Sequence, residues 1–145
     1  MLIQGRCHCG NIAFTLDWHP SPDAIPARAC TCSFCTRHGG VWTSCRDGSL
    51  LVNVADPERV SQYAFATGTA TFHVCSRCGV VPVVTSEIDS RCYAVVNVNT
   101  FEDVDASMLR CSTISFDDES GSTRMDRRKR DWIARVEFPD SAASG

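Results

Sequence analysis

The chain has 145 residues and a mass of 15.9 kDa; 43% of its residues are hydrophobic and 21% are charged. That length suits one domain, and the composition excludes disorder as the main state. A formal net charge of −3, from 14 basic and 17 acidic side chains, argues against nucleic-acid or anionic-membrane binding. The number out of line is ten cysteines.

No segment approaches the roughly 20 apolar residues that cross a bilayer. The start, Met1 to Cys7, lacks a basic stretch followed by an apolar one, so no secretory leader is expected. The chain is therefore read as cytoplasmic, where clustered cysteines more often bind metal than pair as disulfides. A disulfide framework is the alternative.

The elements expected along the chain are mostly strands. Residues 11–18 alternate apolar and polar, as a half-buried strand does. Residues 41–45, 50–54, 71–74, 80–85 and 92–98 are short β-rich runs, punctuated by turn formers such as Asp47-Gly48 and Asp56-Pro57. Residues 57–60 hold at most a single turn. These spacings predict a mainly β fold, a small antiparallel sheet or two packed sheets. After a polar loop at residues 117–122, the spacing predicts a short C-terminal helix over 123–133, capped by Ser122 or Thr123. Met125, Trp132 and Ile133 would share one side of it. Arg127, Arg128, Lys129 and Arg130 are read as its solvated face, flanked by Asp126 and Asp131. One domain over residues 1–138 and a flexible tail over 139–145 are expected. Monomer and homodimer are both open.

Seven cysteines fall into three motifs: Cys7-His8-Cys9-Gly10, Cys30-Thr31-Cys32-Ser33-Phe34-Cys35, and Cys75-Ser76-Arg77-Cys78-Gly79. Cysteines one or two residues apart reach one ion when the chain turns tightly, and a glycine after the second permits the turn. The first and third motifs are each half a site. Pairing them puts Cys7, Cys9, Cys75 and Cys78 on a closed, structural zinc. Cys30, Cys32 and Cys35 remain as three ligands, and an open fourth position is how catalytic zinc sites are built. Several residues compete to close that site: His38, three residues after Cys35, and also Cys45 or His73 through the fold. His8, inside its motif, is expected to point away. Cys45, Cys92 and Cys111 are read as buried small hydrophobes.

These motifs, in this order, resemble the glutathione-dependent formaldehyde-activating enzyme family, within which centromere protein V also falls. The likeness runs from about Leu2 to about Val98. It rests on Gly5-Arg6-Cys7-His8-Cys9-Gly10-Asn11-Ile12, the Cys30–Cys35 loop with Gly39 after it, and Phe72-His73-Val74-Cys75-Ser76-Arg77-Cys78-Gly79. The resemblance implies a mainly β fold of the β-tent type. It implies a structural zinc at Cys7, Cys9, Cys75 and Cys78 and a catalytic zinc at Cys30, Cys32 and Cys35, two per chain. It also implies carbon–sulfur lyase chemistry on an adduct of glutathione, or another small thiol, with formaldehyde or a similar small aldehyde. Val80 departs from the small hydroxyl residue often found after the last Cys-Gly.

For that chemistry, His38 is the candidate general acid or base, because imidazole titrates in the useful range. Arg37 is the candidate for a glutathione carboxylate. The rival reading is a non-enzymatic zinc-stabilised binding module, with the basic helix as its contact face. A third is zinc buffering or thiol-redox sensing by the three-cysteine loop.

Overall fold

The computed structural model describes residues 1–139; of the expected tail, 140–145 lie outside the described residues. The strands run β1 (Leu2–Arg6), β2 (Ile12–Asp17), β3 (Ile25–Cys30), β4 (Val41–Thr43), β5 (Ser49–Val54), β6 (Val60–Tyr63), β7 (Thr71–Cys75), β8 (Val83–Ile88), β9 (Arg91–Asn97), β10 (Leu109–Ile114) and β11 (Arg135–Glu137). Helix α1 is Ser33–His38 and α2 is Gly121–Asp131. The fold is mainly β, with small sheets and a short C-terminal helix, as expected.

The strands form a four-stranded sheet, β1-β2-β5-β11, and a seven-stranded sheet, β10-β3-β4-β9-β8-β7-β6. Most pairs are antiparallel, but β10 on β3 and β11 on β5 are parallel. Each of these pairs joins strands far apart in sequence. A long return connection leaves strand direction free, whereas a hairpin does not.

Alternation sets the layers. In β2, Ile12, Phe14 and Leu16 are buried while Ala13, Thr15 and Asp17 are half-exposed. Strand β9 is buried on both faces, which is why Tyr93-Ala94-Val95-Val96 reads as an unbroken apolar run. Its Ala94 and Val96 join one core with Ile3, Phe14, Leu16, Leu50 and Ile133. Its Tyr93 and Val95 face the opposite way, into a second core with Trp42, Phe72, Val84 and Trp132. The second core carries the candidate site.

The C-terminal helix begins two residues before its expected start. Ser120 caps it, its Oγ accepting from the Thr123 N–H at 3.2 Å. It ends at Asp131; Trp132 is extended and Ile133 exchanges backbone hydrogen bonds with Ala94. The expectation of a fully solvated basic face is corrected. Lys129 and Arg130 do face outward, near Asp126 and Asp131 at 3.7 and 3.0 Å. Arg128 is buried, at 7% exposure. Arg127 pairs with Glu119 at 2.8 Å and lies over the Phe116 ring. The helical period explains this, since positions 124, 127, 128 and 131 share one face, and that face meets the sheet. Of the three lone cysteines, Cys45 is buried as expected, Cys92 is half-buried and Cys111 is exposed on β10.

Where the small sheet begins, Gly5 lies directly opposite Phe14, whose ring fills the space a side chain would need. Gly5→Ala is expected to destabilise the fold by about 1–3 kcal/mol through overpacking. Denaturant unfolding measures this, and an unchanged midpoint would refute the close approach.

Candidate metal centres and the adjoining cavity

Two turns of matching form bring the first four thiols together. In one, the Cys7 N–H donates to the Ile12 carbonyl at 2.8 Å and the Gly10 N–H to the Cys7 carbonyl at 3.1 Å. In the other, the Cys75 N–H donates to the Val80 carbonyl at 3.0 Å and the Gly79 N–H to the Cys75 carbonyl at 2.7 Å. Gly10 and Gly79 take φ of 86° and 82°, a left-handed conformation that a side chain would strain. The four Sγ atoms of Cys7, Cys9, Cys75 and Cys78 lie within 4.8 Å of one another. Cys7 and Cys9 are 3.8 Å apart, and Cys9 and Cys75 3.5 Å. Four sulfurs on a tetrahedral zinc at about 2.3 Å stand roughly 3.8 Å apart. The donor set and its spacing therefore fit a zinc ion. All ten cysteines are free thiols, which excludes a disulfide framework in this structure.

The second cluster sits where β3 runs into α1. Cys30 ends the strand, Cys32 is the helix cap and Cys35 lies in the helix. The Cys32 Sγ accepts from the Cys35 N–H at 3.3 Å, so the thiol takes the place of a capping hydroxyl. Gly39 closes the helix in the left-handed region, at φ 72°. The indole N–H of Trp42 donates to the Cys35 Sγ at 3.4 Å. These three Sγ atoms also lie within 4.8 Å of one another. Among the described residues, no fourth His, Cys, Asp or Glu joins them.

The residues expected to compete for that fourth place are elsewhere. Cys45 donates to the His19 carbonyl at 3.3 Å. His73 bonds the Thr85 hydroxyl at 2.8 Å in the interior. His8 is exposed, as expected. His38 packs on the Phe34 ring at 4.4 Å, near Trp42 and Phe72, and its buried Nε2 has no partner. Burial lowers its pKa, so its ring is neutral at neutral pH. Arg37 is exposed and turned back on the Ser33 carbonyl at 2.9 Å.

The thiols of both clusters share protons unequally. A hydrogen bond from Cys35 brings the Cys30 thiol down to about 6 against its burial. Cys35 is pushed up, first by that same bond and then by burial, so it keeps the proton. In the first cluster, burial raises Cys7 to about 12. Burial also pushes Cys78 upward, but hydrogen bonds from the Cys9 and Val80 N–H groups and from the other thiols outweigh it and leave it at about 6.

Cys30, Cys32 and Cys35 open onto a cavity of about 180 Å³. Trp42, Phe65, Phe72 and Trp132 make its apolar wall. Arg28, Arg124, Arg127 and Arg128 make a basic one. Neither His38 nor Arg37 lines it.

The sequence profile described as glutathione-dependent formaldehyde-activating enzyme matches residues 2–116. The chain belongs to that family. It is 34% identical over 85 residues to a putative glutathione-dependent formaldehyde-activating enzyme of Halomonas elongata. That alignment covers 54% of this chain and 52% of the relative, so the chain spans about half the length of the curated relative it matches. A crystal structure of a Rhodobacter sphaeroides protein is similar at 30% identity, with a TM-score of 0.53, covering 72% of this chain and 92% of that one. Both cysteine clusters of this glutathione-dependent formaldehyde-activating family member lie within the matched residues. Helix α2 lies beyond them. Sequence reading missed the arginine wall, because Arg28 carries no motif and α2 reads as a solvated helix. The signal that could have found it is spacing: Arg128 stands three residues after Met125 and four before Trp132, on the apolar side of the helix.

Metal-free, reduced protein gives a check on the shared proton. A folded pKa of about 6 against an ordinary 9.0 keeps Cys30 as thiolate at neutral pH and protonates it as the pH falls through 6. Stability contributed by that thiolate is present above its unfolded pKa and lost as pH falls toward the folded one. Iodoacetamide near neutral pH should label Cys30 well before Cys35, read by peptide mass spectrometry. Preferential labelling of Cys35 would reverse the assignment.

Proposed function

We propose that this protein is a zinc-dependent carbon–sulfur lyase that makes or cleaves the adduct of a small thiol, glutathione or a close relative, with a small aldehyde. The observation that carries the proposal is the incomplete donor set. Cys30, Cys32 and Cys35 offer three sulfurs with no fourth protein ligand among the described residues, and they face a cavity. Zinc in such a site supplies Lewis acidity, which keeps a thiol deprotonated near neutral pH.

The chain's own groups divide the remaining work. Cys30, Cys32 and Cys35 would hold the ion, and the Trp42 indole fixes the Cys35 sulfur. The rings of Trp42, Phe72 and Trp132 exclude water from the reacting sulfur. In the forward direction the sulfur–carbon bond forms, the carbonyl π bond opens, and the thiol proton ends on the former carbonyl oxygen. The reverse step expels the aldehyde and returns that proton. Cys7, Cys9, Cys75 and Cys78 would hold a second, structural zinc. Ten unpaired thiols suit a reducing cytoplasm.

Loss of an outer-shell partner typically costs 10–100-fold, so loss of a ligand should cost roughly 100-fold or more. Cys32→Ser is expected to lower glutathione–formaldehyde exchange, measured by NMR, by that factor. It should also remove about one zinc equivalent while the circular dichroism spectrum stays native, because serine keeps the helix cap. Cys75→Ser should instead lower the melting temperature sharply. A Cys32→Ser protein with full zinc and full exchange rate would sink the proposal.

A further inference from the structure

The chain is acidic overall, yet the cavity beside Cys30, Cys32 and Cys35 is lined by four arginines and a single carboxylate, Asp117. Two of the four are answered. Arg124 and Arg127 share Glu119, at 3.7 and 2.8 Å. The other two have only neutral partners at hydrogen-bond distance among the described residues. Arg28 donates from Nη2 to the Ser44 hydroxyl at 3.1 Å. Arg128 donates from Nη1 to the Thr69 carbonyl, the Thr69 hydroxyl and the Ser86 hydroxyl, at 3.2, 3.0 and 3.0 Å.

Arg128 is 7% exposed, and its Nε–H is buried with no acceptor. Its guanidinium lies 5.0 Å from the centre of the Trp132 ring. Burial, together with the Arg127 and Arg124 charges, draws it down to about 10 against the opposing pull of Glu119, so it stays a cation at neutral pH. A cation removed from water with no carboxylate in contact is costly. The protein keeps one here, on the wall of a cavity that also carries Arg28, a half-buried arginine with donors to spare. Guanidinium groups in that state are suited to a carboxylate, which accepts two parallel hydrogen bonds.

We propose that Arg28 and Arg128 form an anion subsite that binds the carboxylate of the thiol substrate, so that the enzyme selects acidic thiols over neutral ones. Arg28 offers the free donors and Arg128 a buried cation with no carboxylate at hydrogen-bond distance. This rests on reading the three-cysteine end of the cavity as the place of the sulfur. An acidic thiol then spans the cavity, sulfur at one end and carboxylate at the other. Arg28 lies on β3 within the residues that match the family, whereas Arg128 lies on α2 outside them, so half of this subsite comes from the C-terminal segment.

Trp42 and Trp132 both line the cavity and report binding by fluorescence. The titration uses the zinc-loaded full chain and two matched pairs of probes. One pair is 3-mercaptopropionate and 3-mercaptopropionamide; the other is the same two compounds S-methylated. The acid of each pair should bind at least about tenfold more tightly than its amide, the scale of one charge-assisted hydrogen bond. Arg28→Gln and Arg128→Gln, checked for native circular dichroism, should each bring that ratio within about twofold. A purely structural Arg128 would lower the melting temperature and leave the ratio alone. Equal binding of acid and amide to the unaltered protein overturns the proposal without any variant. So does a preference that survives both substitutions. If the acids are preferred but the free thiol adds nothing over its S-methyl form, the subsite stands and the thiol reading fails. Tight thiol binding without acid preference overturns the subsite and leaves the thiol reading standing.

Discussion

The meeting of two cysteine turns is the constraint on which the rest of the structure depends. The turn after β1 and the turn after β7 are far apart in sequence and belong to different sheets. Their sulfurs converge to 3.5 Å between Cys9 and Cys75. Four thiols that close are unfavourable neighbours unless protons or a metal hold them together, since thiolates repel. Zinc binding at such a set supplies folding free energy directly. Once the turns are joined, the small sheet is pinned to one end of the large one, and the apolar faces of β2, β5, β8 and β9 have a layer to pack against.

The second cluster is built differently, and the contrast explains its chemistry. Its three sulfurs come from one strand end and one short helix, so its geometry is local. The Cys32 thiol caps that helix and the Trp42 indole holds Cys35. Among the described residues, no His, Cys, Asp or Glu from the far side of the fold reaches in to complete it. Where the first site is a knot between distant segments, the second is a shallow cradle facing a cavity. The hydrogen bond from Cys35 already tips Cys30 toward the thiolate.

The metal motifs were legible because spacing is a local property: C-x-C, C-x-C-x-x-C and C-x-x-C-G state which sulfurs can meet. The buried strands were legible too, through alternation in residues 12–17 and the apolar run of β9. The weaker strands were not. Residues 25–30 read Ile-Pro-Ala-Arg-Ala-Cys and residues 109–114 read Leu-Arg-Cys-Ser-Thr-Ile, with little to mark either alone. Each becomes a strand by pairing with the other in parallel, a long-range relation that no local pattern encodes. The same holds for α2. Four basic residues in a row look solvated, but tertiary contact turns Arg127 and Arg128 inward, to Glu119 and Phe116 and to Thr69 and Ser86. That inward turn also removes half of the basic contact face that a binding-module reading requires.

The register of Ile133 against Ala94 has a consequence for the order in which the site is made. Synthesis runs from the amino end, and every cysteine of both clusters has been added by residue 78. Three of the four arginines of the cavity wall come later, on α2, whose far end is held where Ile133 bonds β9 and Val136 lies beside Leu50 on β5. The sulfurs thus precede most of the chamber's charged lining along the polypeptide. A polypeptide stopped before residue 121 would carry both cysteine clusters and Arg28 but lack Arg124, Arg127 and Arg128, three quarters of the cationic lining.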